Sequence, residues 1–315
     1  MKIINKVIKY KIARPYYASK FYRKLLSEKK DNEAFLITSY QIGDMIYALA
    51  YVEALKRRLE VENKNLIIYL ADNRKNFLSL YDIDIETRFW DHNDMKVKKY
   101  MQHLNLSPRY VAKGLKHDIY TAIAPCILKD YQTNKRDCLA IIRDNMYRVS
   151  HPQIVYPKLP GVKIESIPDF ESIKGRVAVL NQYSNALKDR LEVFDEISEY
   201  LISKGYIVYS NVINDQIPSK GSKPLTCGIL EFYEICNYVP LVVSIRSGII
   251  DFCISANTRF FVIYPDRRRG DGFFDVYTLK AWQTKNVIEE IFHVDNANTM
   301  EHFIDFVKFN NLLQI

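Results

Sequence analysis

Residues 38–49 read TSYQIGDMIYAL. A β-branched run ends, a Gly-Asp pair follows, and apolar residues at helical spacing begin at once. Asp44 therefore stands where a strand hands over to a helix. Two roles are open to a carboxylate there. It can cap the helix, since Asp is among the preferred N-cap residues. It can also act as a general base, taking a proton from a hydroxyl as that oxygen attacks an electrophile.

A second constellation lies in PLVVSIRSGIID (240–251). A glycine turn that opens a helix presents unpaired N–H groups and a partial positive charge, which suit a phosphate. Arg246 beside Ser247 and Gly248 can add a bidentate, permanently charged contact. Equally, Arg246 can pair with Asp251, and Ser247 can serve only as a cap. Further on, DRRRGDGFF (266–274) places Arg267, Arg268 and Arg269 after an apolar strand. They could grip a phosphate of a donor or an acceptor, or form a solvated loop in which Gly270 and Gly272 serve turns.

Other chemistries find little support. Asp82-Ile83-Asp84 forms the DxD pattern with which GT-A glycosyltransferases hold a divalent cation, but alternating acids on a half-exposed strand produce it by chance. The six histidines, at 92, 103, 117, 151, 293 and 302, lack zinc spacing. No Walker A loop, GxGxxG or GxSxG occurs. No metal or cofactor is expected.

The elements that would position these residues alternate. AFLITSY (34–40) reads as a buried strand, DMIYALAYVEALKRRLE (44–60) as one amphipathic helix, and NLIIYLA (65–71) as a strand. HDIYTAIAP (117–125) reads as a further strand and turn. After SHPQIVYPKLPGVKIESIP (150–168), with four prolines and no helical period, a second series begins. Strands are expected at 175–182, 206–212, 240–247 and 259–265, and helices at 191–204, 229–238 and from 248. Residues 298–315 read as an amphipathic C-terminal helix. The expected fold class is α/β, with two Rossmann-like domains facing a cleft. The division is 1–30 basic N-terminal arm, 31–155 N-terminal domain, 156–290 C-terminal domain and 291–315 C-terminal helix.

Charge is unevenly distributed over the 315 residues, whose net charge is +8. Residues 1–30 hold ten Lys/Arg against Glu28 alone, and the remainder is close to neutral. A neutral body argues against a nucleic-acid enzyme with a basic channel. The basic arm suits an anionic membrane surface, with Phe21, Leu25 and Leu26 of FYRKLL toward lipid and Arg23 and Lys24 toward headgroups. Five cysteines without CxxC spacing suit reduced, cytoplasmic thiols. No apolar stretch is long enough to span a membrane and no signal peptide is evident.

TSYQIGDMIYALAYVEALK resembles the first β–α unit of the bacterial lipopolysaccharide heptosyltransferases, and TCGILEFYEICNYVPLVVSIRSGIIDFCISANTRFFVIYP (226–265) resembles their donor-domain stretch. More broadly the chain resembles GT-B glycosyltransferases, which implies that 31–155 binds the acceptor and 156–290 the nucleotide-sugar. The resemblance implies Asp44 as general base, Lys188 as a donor-phosphate lysine, and Ser247 and Gly248 as the turn that holds the donor pyrophosphate. Arg246 stands where the family usually has Asp, and Asp251 where it usually has His, which departs from the ADP-heptose pattern. Lys188 lies in the charged KDR loop and has a plain surface reading too. Glu231 is a candidate for the donor ribose, or part of a solvated face.

The implied activity is metal-independent, inverting transfer of a sugar from a nucleotide-sugar to a glycan or lipid-linked glycan acceptor. The setting would be lipopolysaccharide or capsule assembly at the inner face of the plasma membrane. The alternatives are a fucosyltransferase-like enzyme with a guanosine donor and a non-catalytic nucleotide- or carbohydrate-binding protein on the same scaffold.

Overall fold

The computed structural model describes residues 14–38, 42–94, 113–121, 134–184, 191–265, 277–283, 287–292 and 298–312. Two compact units form, one from Met1–Pro157 with Asp271–Tyr277 and the other from Lys158–Gly270 with Thr278–Ile315.

Unit 1 carries four parallel strands, β1 (Glu33–Ile37), β2 (Asn65–Ala71), β3 (Glu86–Trp90) and β4 (Ile119–Thr121), in the order β3-β2-β1-β4. All five residues of β1 are buried. That is why the strand reads as an unbroken apolar run rather than an alternating one. Helix α1 (Arg14–Glu28) covers one face, where Phe21, Tyr22 and Leu25 pack with Phe35, Ile37, Ile67, Tyr69 and Ile119.

The position of α1 corrects the reading of residues 14–28 as part of a separate arm. Phe21 and Leu25 are 3% and 0% exposed, and Leu26 packs against the same cluster, so none is turned outward toward lipid. Burying two large side chains in this core contributes a few kcal/mol to the fold. Lys20, Arg23 and Lys24 do face solvent.

The expected single helix over 44–60 is two helices, α2 (Ile42–Leu49) and α3 (Val52–Val61). The break at Ala50 and Tyr51 has a local cause. Distant groups take nearby carbonyls: Tyr147 Oη donates to Ala48 O at 2.6 Å and Val155 N to Ala50 O at 2.8 Å.

Unit 2 carries six parallel strands: β5 (Val177–Asn181), β6 (Ile207–Asn211), β7 (Lys223–Leu225), β8 (Leu241–Ile245), β9 (Arg259–Pro265) and β10 (Val287–Phe292). Their order is β10-β9-β8-β5-β6-β7. Counted within the unit, the first strand lies between the second and the fourth, which is the 3-2-1-4-5-6 order of dinucleotide-binding sheets. Helices α4 (Val193–Ser203) and α7 (Asn298–Phe309) share one core with this sheet, and Phe303 meets Phe261 edge-on at 5.2 Å. The C-terminal helix is thus built into unit 2. Two further helices, α5 (Ile229–Tyr238) and α6 (Gly248–Phe252), flank β8 in sequence. No described helix is long and apolar enough to cross a membrane.

Candidate functional site

In open parallel sheets, ligands bind outside the carboxyl ends of the strands, where the strand order reverses. In unit 2 that point lies between β5 and β8. The strands there are apolar except at or next to their carboxyl ends. Asn181 ends β5, Asn211 ends β6, and Ser244 lies one residue before the end of β8. These side chains satisfy one another. Asn211 Nδ2 donates to Asn181 Oδ1 at 2.9 Å, and Asn181 Nδ2 donates to Ser244 Oγ at 2.9 Å and to Ser247 Oγ at 3.3 Å. Sequence reading singled out Ser247 but missed Asn181, Asn211 and Ser244. The signal was a polar residue at or next to the end of each of three apolar runs.

Arg246 follows β8 and its amide extends the ladder to Ile263 O at 2.9 Å. Its guanidinium forks onto Asp251, Nη1 to Oδ2 at 2.9 Å and Nη2 to Oδ1 at 2.7 Å, and Nη1 also donates to Ser247 O at 2.9 Å. The pair with Asp251, one of the two readings open for Arg246, is formed. The pair spans the Ser247-Gly248 turn and fixes the start of α6. Ser247 has extended backbone, with φ −155 and ψ 159, and its hydroxyl makes no capping bond, receiving the Asn181 amide instead.

Glu231, in the first turn of α5, takes the amides of Glu165 and Ser166 on Oε1, both at 2.7 Å. Burial pushes its carboxyl up, but the Ser166 and Glu165 amides together hold it below the usual glutamate range. Glu234 is buried and takes the Gly161 amide at 2.7 Å. Both acids hold the segment with which unit 2 begins, and neither forms a solvated face. A cavity of about 730 Å³ lined by Ile164, Phe170, Glu234 and Tyr238 lies beside the chain that enters β5 and β8, by their amino ends. Topology makes it a poorer candidate than the opposite, carboxyl edge.

In unit 1 the switch point lies between β1 and β4, and α2 leaves from it. The helix begins at Ile42, so Asp44 is half-buried in the first turn rather than at the cap. A carboxylate there is stabilised by the helix dipole. Asp82 and Asp84 are exposed in an extended stretch before β3, at the amino edge of the sheet, away from the edge that α2 leaves. Among the described residues, Asp72, Asp91 and His92 bring ligand atoms within 4.8 Å of one another at the carboxyl ends of β2 and β3. There Asp72 Oδ1 lies 2.6 Å from His92 Nδ1 and takes the Asn73 amide at 2.7 Å. Lys188 and the triplet Arg267, Arg268 and Arg269 lie outside the described residues. Cys138, Cys227, Cys236 and Cys253 are free thiols.

Two Rossmann-like units, each with its polar or acidic residues after the strands that flank its switch point, define the GT-B fold class. Three solved structures share it. One is glycosyl transferase family 9 from Veillonella parvula DSM 2008, with 12% identity, 91% of this chain and 90% of that chain covered, and a TM-score of 0.53. Another is E. coli ADP-heptose LPS heptosyltransferase II, with 11% identity, 89% and 98% covered, and a TM-score of 0.56. The third is E. coli heptosyltransferase WaaC with ADP-2-deoxy-2-fluoro heptose, with 10% identity, 87% and 99% covered, and a TM-score of 0.53. At such identities the likeness is one of fold. No protein-family description and no curated protein matches the chain.

Proposed function

We propose that this protein is a glycosyltransferase of heptosyltransferase type, in which unit 2 holds a nucleotide-sugar and unit 1 holds the acceptor. The observation that carries the reading is the pairing of a 3-2-1-4-5-6 sheet with a polar network at its switch point, on a fold shared with nucleotide-sugar enzymes.

Asn181 and the Arg246–Asp251 pair fix the Ser247-Gly248 turn, whose amides bond the donor pyrophosphate. Asp251 and Arg246 thus position that turn, and Lys188 adds charge to the phosphates. Glu231 meets the donor ribose with the carboxylate oxygen that the Glu165 and Ser166 amides leave over. The acceptor oxygen attacks the anomeric carbon as the bond to the nucleotide diphosphate breaks, and Asp44 takes the hydroxyl proton. Configuration inverts in this single displacement. The diphosphate leaves with its own charge held by amides and cations, so no metal is required. The exposed cations of α1, with the basic residues before it, favour an anionic membrane surface at which a lipid-linked surface-glycan acceptor would lie. Arg267, Arg268 and Arg269 are assigned to an acceptor or donor phosphate.

A thermal-shift series with ADP-, UDP-, GDP-, CMP- and dTDP-sugars, with EDTA and with Mg²⁺, tests the reading. One nucleotide-sugar should raise Tm equally under both conditions. A shift that appears only with metal would overturn metal independence, and no shift with any of the five would overturn donor binding.

A further inference from the structure

The cavity of about 730 Å³ lies wholly within unit 2, and the donor reading leaves it unused. Its size suits a small molecule. Helix α5 contributes Glu234 and Tyr238 to its lining, and the segment with which unit 2 begins contributes most of the rest.

Glu234 is 5% exposed. The Gly161 amide, bonded to Oε2 at 2.7 Å, is the only partner of its side chain among the described residues, and no cation there pairs with it. Oε1 bonds to nothing described and is not sealed off, and the carboxylate lines the cavity. Buried charges in folded proteins are paired and fully hydrogen-bonded, because taking one out of water is otherwise costly. The neighbouring lysines do not supply the missing charge. Lys163 pairs with Glu165 at 3.2 Å. Lys174 pairs with Glu171 at 2.8 Å, with its Nζ 5.1 Å from the centre of the Tyr238 ring. Asp169, also on the lining, has no ion-pair partner among the described residues. Nor is a charge needed to hold Gly161, since a glutamine carbonyl would accept that amide as well.

The rest of the lining is largely apolar. Ile164, Ile167 and Phe170 belong to it, and Phe170 meets the ring of Tyr238 edge-on at 6.5 Å. Tyr238 is 43% exposed, a large share for an aromatic side chain at a helix end. An uncompensated carboxylate thus stands beside aromatic and aliphatic surface.

We propose that this cavity binds a primary amine with an apolar body. The ammonium donates to Glu234 Oε1 in a charge-assisted bond, and the body lies against Ile164, Phe170 and Tyr238. The surplus of carboxylates disfavours an anion, and the apolar lining disfavours a hydrated metal ion. The site does not rest on the glycosyltransferase reading, whose polar network lies at the carboxyl ends of the same sheet.

The test uses the full chain and saturation-transfer NMR titrations with benzylamine and n-butylamine. Benzyl alcohol and benzoate serve as neutral and anionic counterparts of similar shape. Both amines should bind, benzylamine the more tightly, and each counterpart should bind at least ~10-fold more weakly than benzylamine. Glu234→Gln keeps an acceptor for Gly161 and should weaken benzylamine about ten- to a hundred-fold, the worth of a hydrogen bond to a charged group. Tyr238→Ala changes a partly exposed residue and should weaken benzylamine more than n-butylamine, which gives a second readout should Glu234→Gln fail to fold. No binding of either amine, equal binding of benzyl alcohol, or wild-type affinity for benzylamine in either variant would overturn the proposal. Nucleotide-sugars should leave benzylamine binding unchanged; displacement by one of them would overturn the separation of this site from the donor site.

Discussion

Arg246 and Asp251 form a two-bond fork across the first turn of α6, with side chains only 7% and 3% exposed. Removing one partner leaves a buried charge alone, which costs about 3–5 kcal/mol. Arg246→Ala and Asp251→Ala should each lose that much in urea unfolding. The double change Arg246→Met, Asp251→Leu should recover most of it, yet still bind nucleotide-sugar more weakly than wild type, because the Ser247 turn loses its strut. Full stability in the single variants would show that the pair carries little of the fold.

Asp44→Asn keeps shape and hydrogen-bonding capacity but cannot take a proton. Turnover should fall at least ~100-fold, with nucleotide-sugar affinity and Tm nearly unchanged. Turnover within a few-fold of wild type would leave Asp44 as a residue that only supports the helix start.

Helix α1 is part of the core, so its contribution should appear as stability. Leu25→Ala should cost about 2–5 kcal/mol. Arg23→Glu with Lys24→Glu, on the exposed face, should leave Tm nearly unchanged and reduce salt-sensitive binding to anionic vesicles. Unchanged vesicle binding would remove α1 from the membrane proposal.

Glu33 supplies a pH dependence. It is 4% exposed. Burial pushes its carboxyl up, but the Arg88 hydrogen bonds at 2.7 and 3.3 Å, the Lys30 amide at 2.9 Å and the two charges together hold it below the usual glutamate value. A lowered folded-state pKa stabilises the fold above the unfolded-state value of about 4.5, and the gain is lost as pH falls through the lower, folded value. The stability gap between wild type and Glu33→Gln, read by urea unfolding, should be widest near pH 7 and shrink below about pH 4.5. A gap independent of pH would show that the glutamate charge is not what holds Arg88.

The sequence made the central strands legible and hid three of the four edges. β2 and β9 have the bounds that their apolar runs announce, because a strand buried on both faces cannot alternate. β3, β7 and β10 went unread. Each is a sheet edge, and edges carry what discourages further pairing: Glu86 and Arg88 in β3, Pro224 in β7, Glu289 and Glu290 in β10. The same physics hid α1, whose many cations suggested a tether although the residues between them, Phe21, Tyr22 and Leu25, pack inward. At the candidate site, Asp44 and Ser247 stood out because a strand-to-helix handover is visible in one dimension. Asn181 and Asn211 did not, because their meaning arises only when β5 and β6 lie side by side.

Tyr277 belongs to unit 1 although the residues on both sides of the Asp271–Tyr277 segment belong to unit 2, and its ring meets that of Tyr47 edge-on at 5.7 Å. The first half of the chain is therefore not finished when it leaves the ribosome. Its last aromatic arrives only after β5 to β9 have been made, so an early N-terminal unit must wait with the flank of α2 incomplete. A cut anywhere in the proline-rich crossing would not yield two whole pieces, and a gene split there would give an N-terminal fragment that lacks a ring beside the helix bearing Asp44.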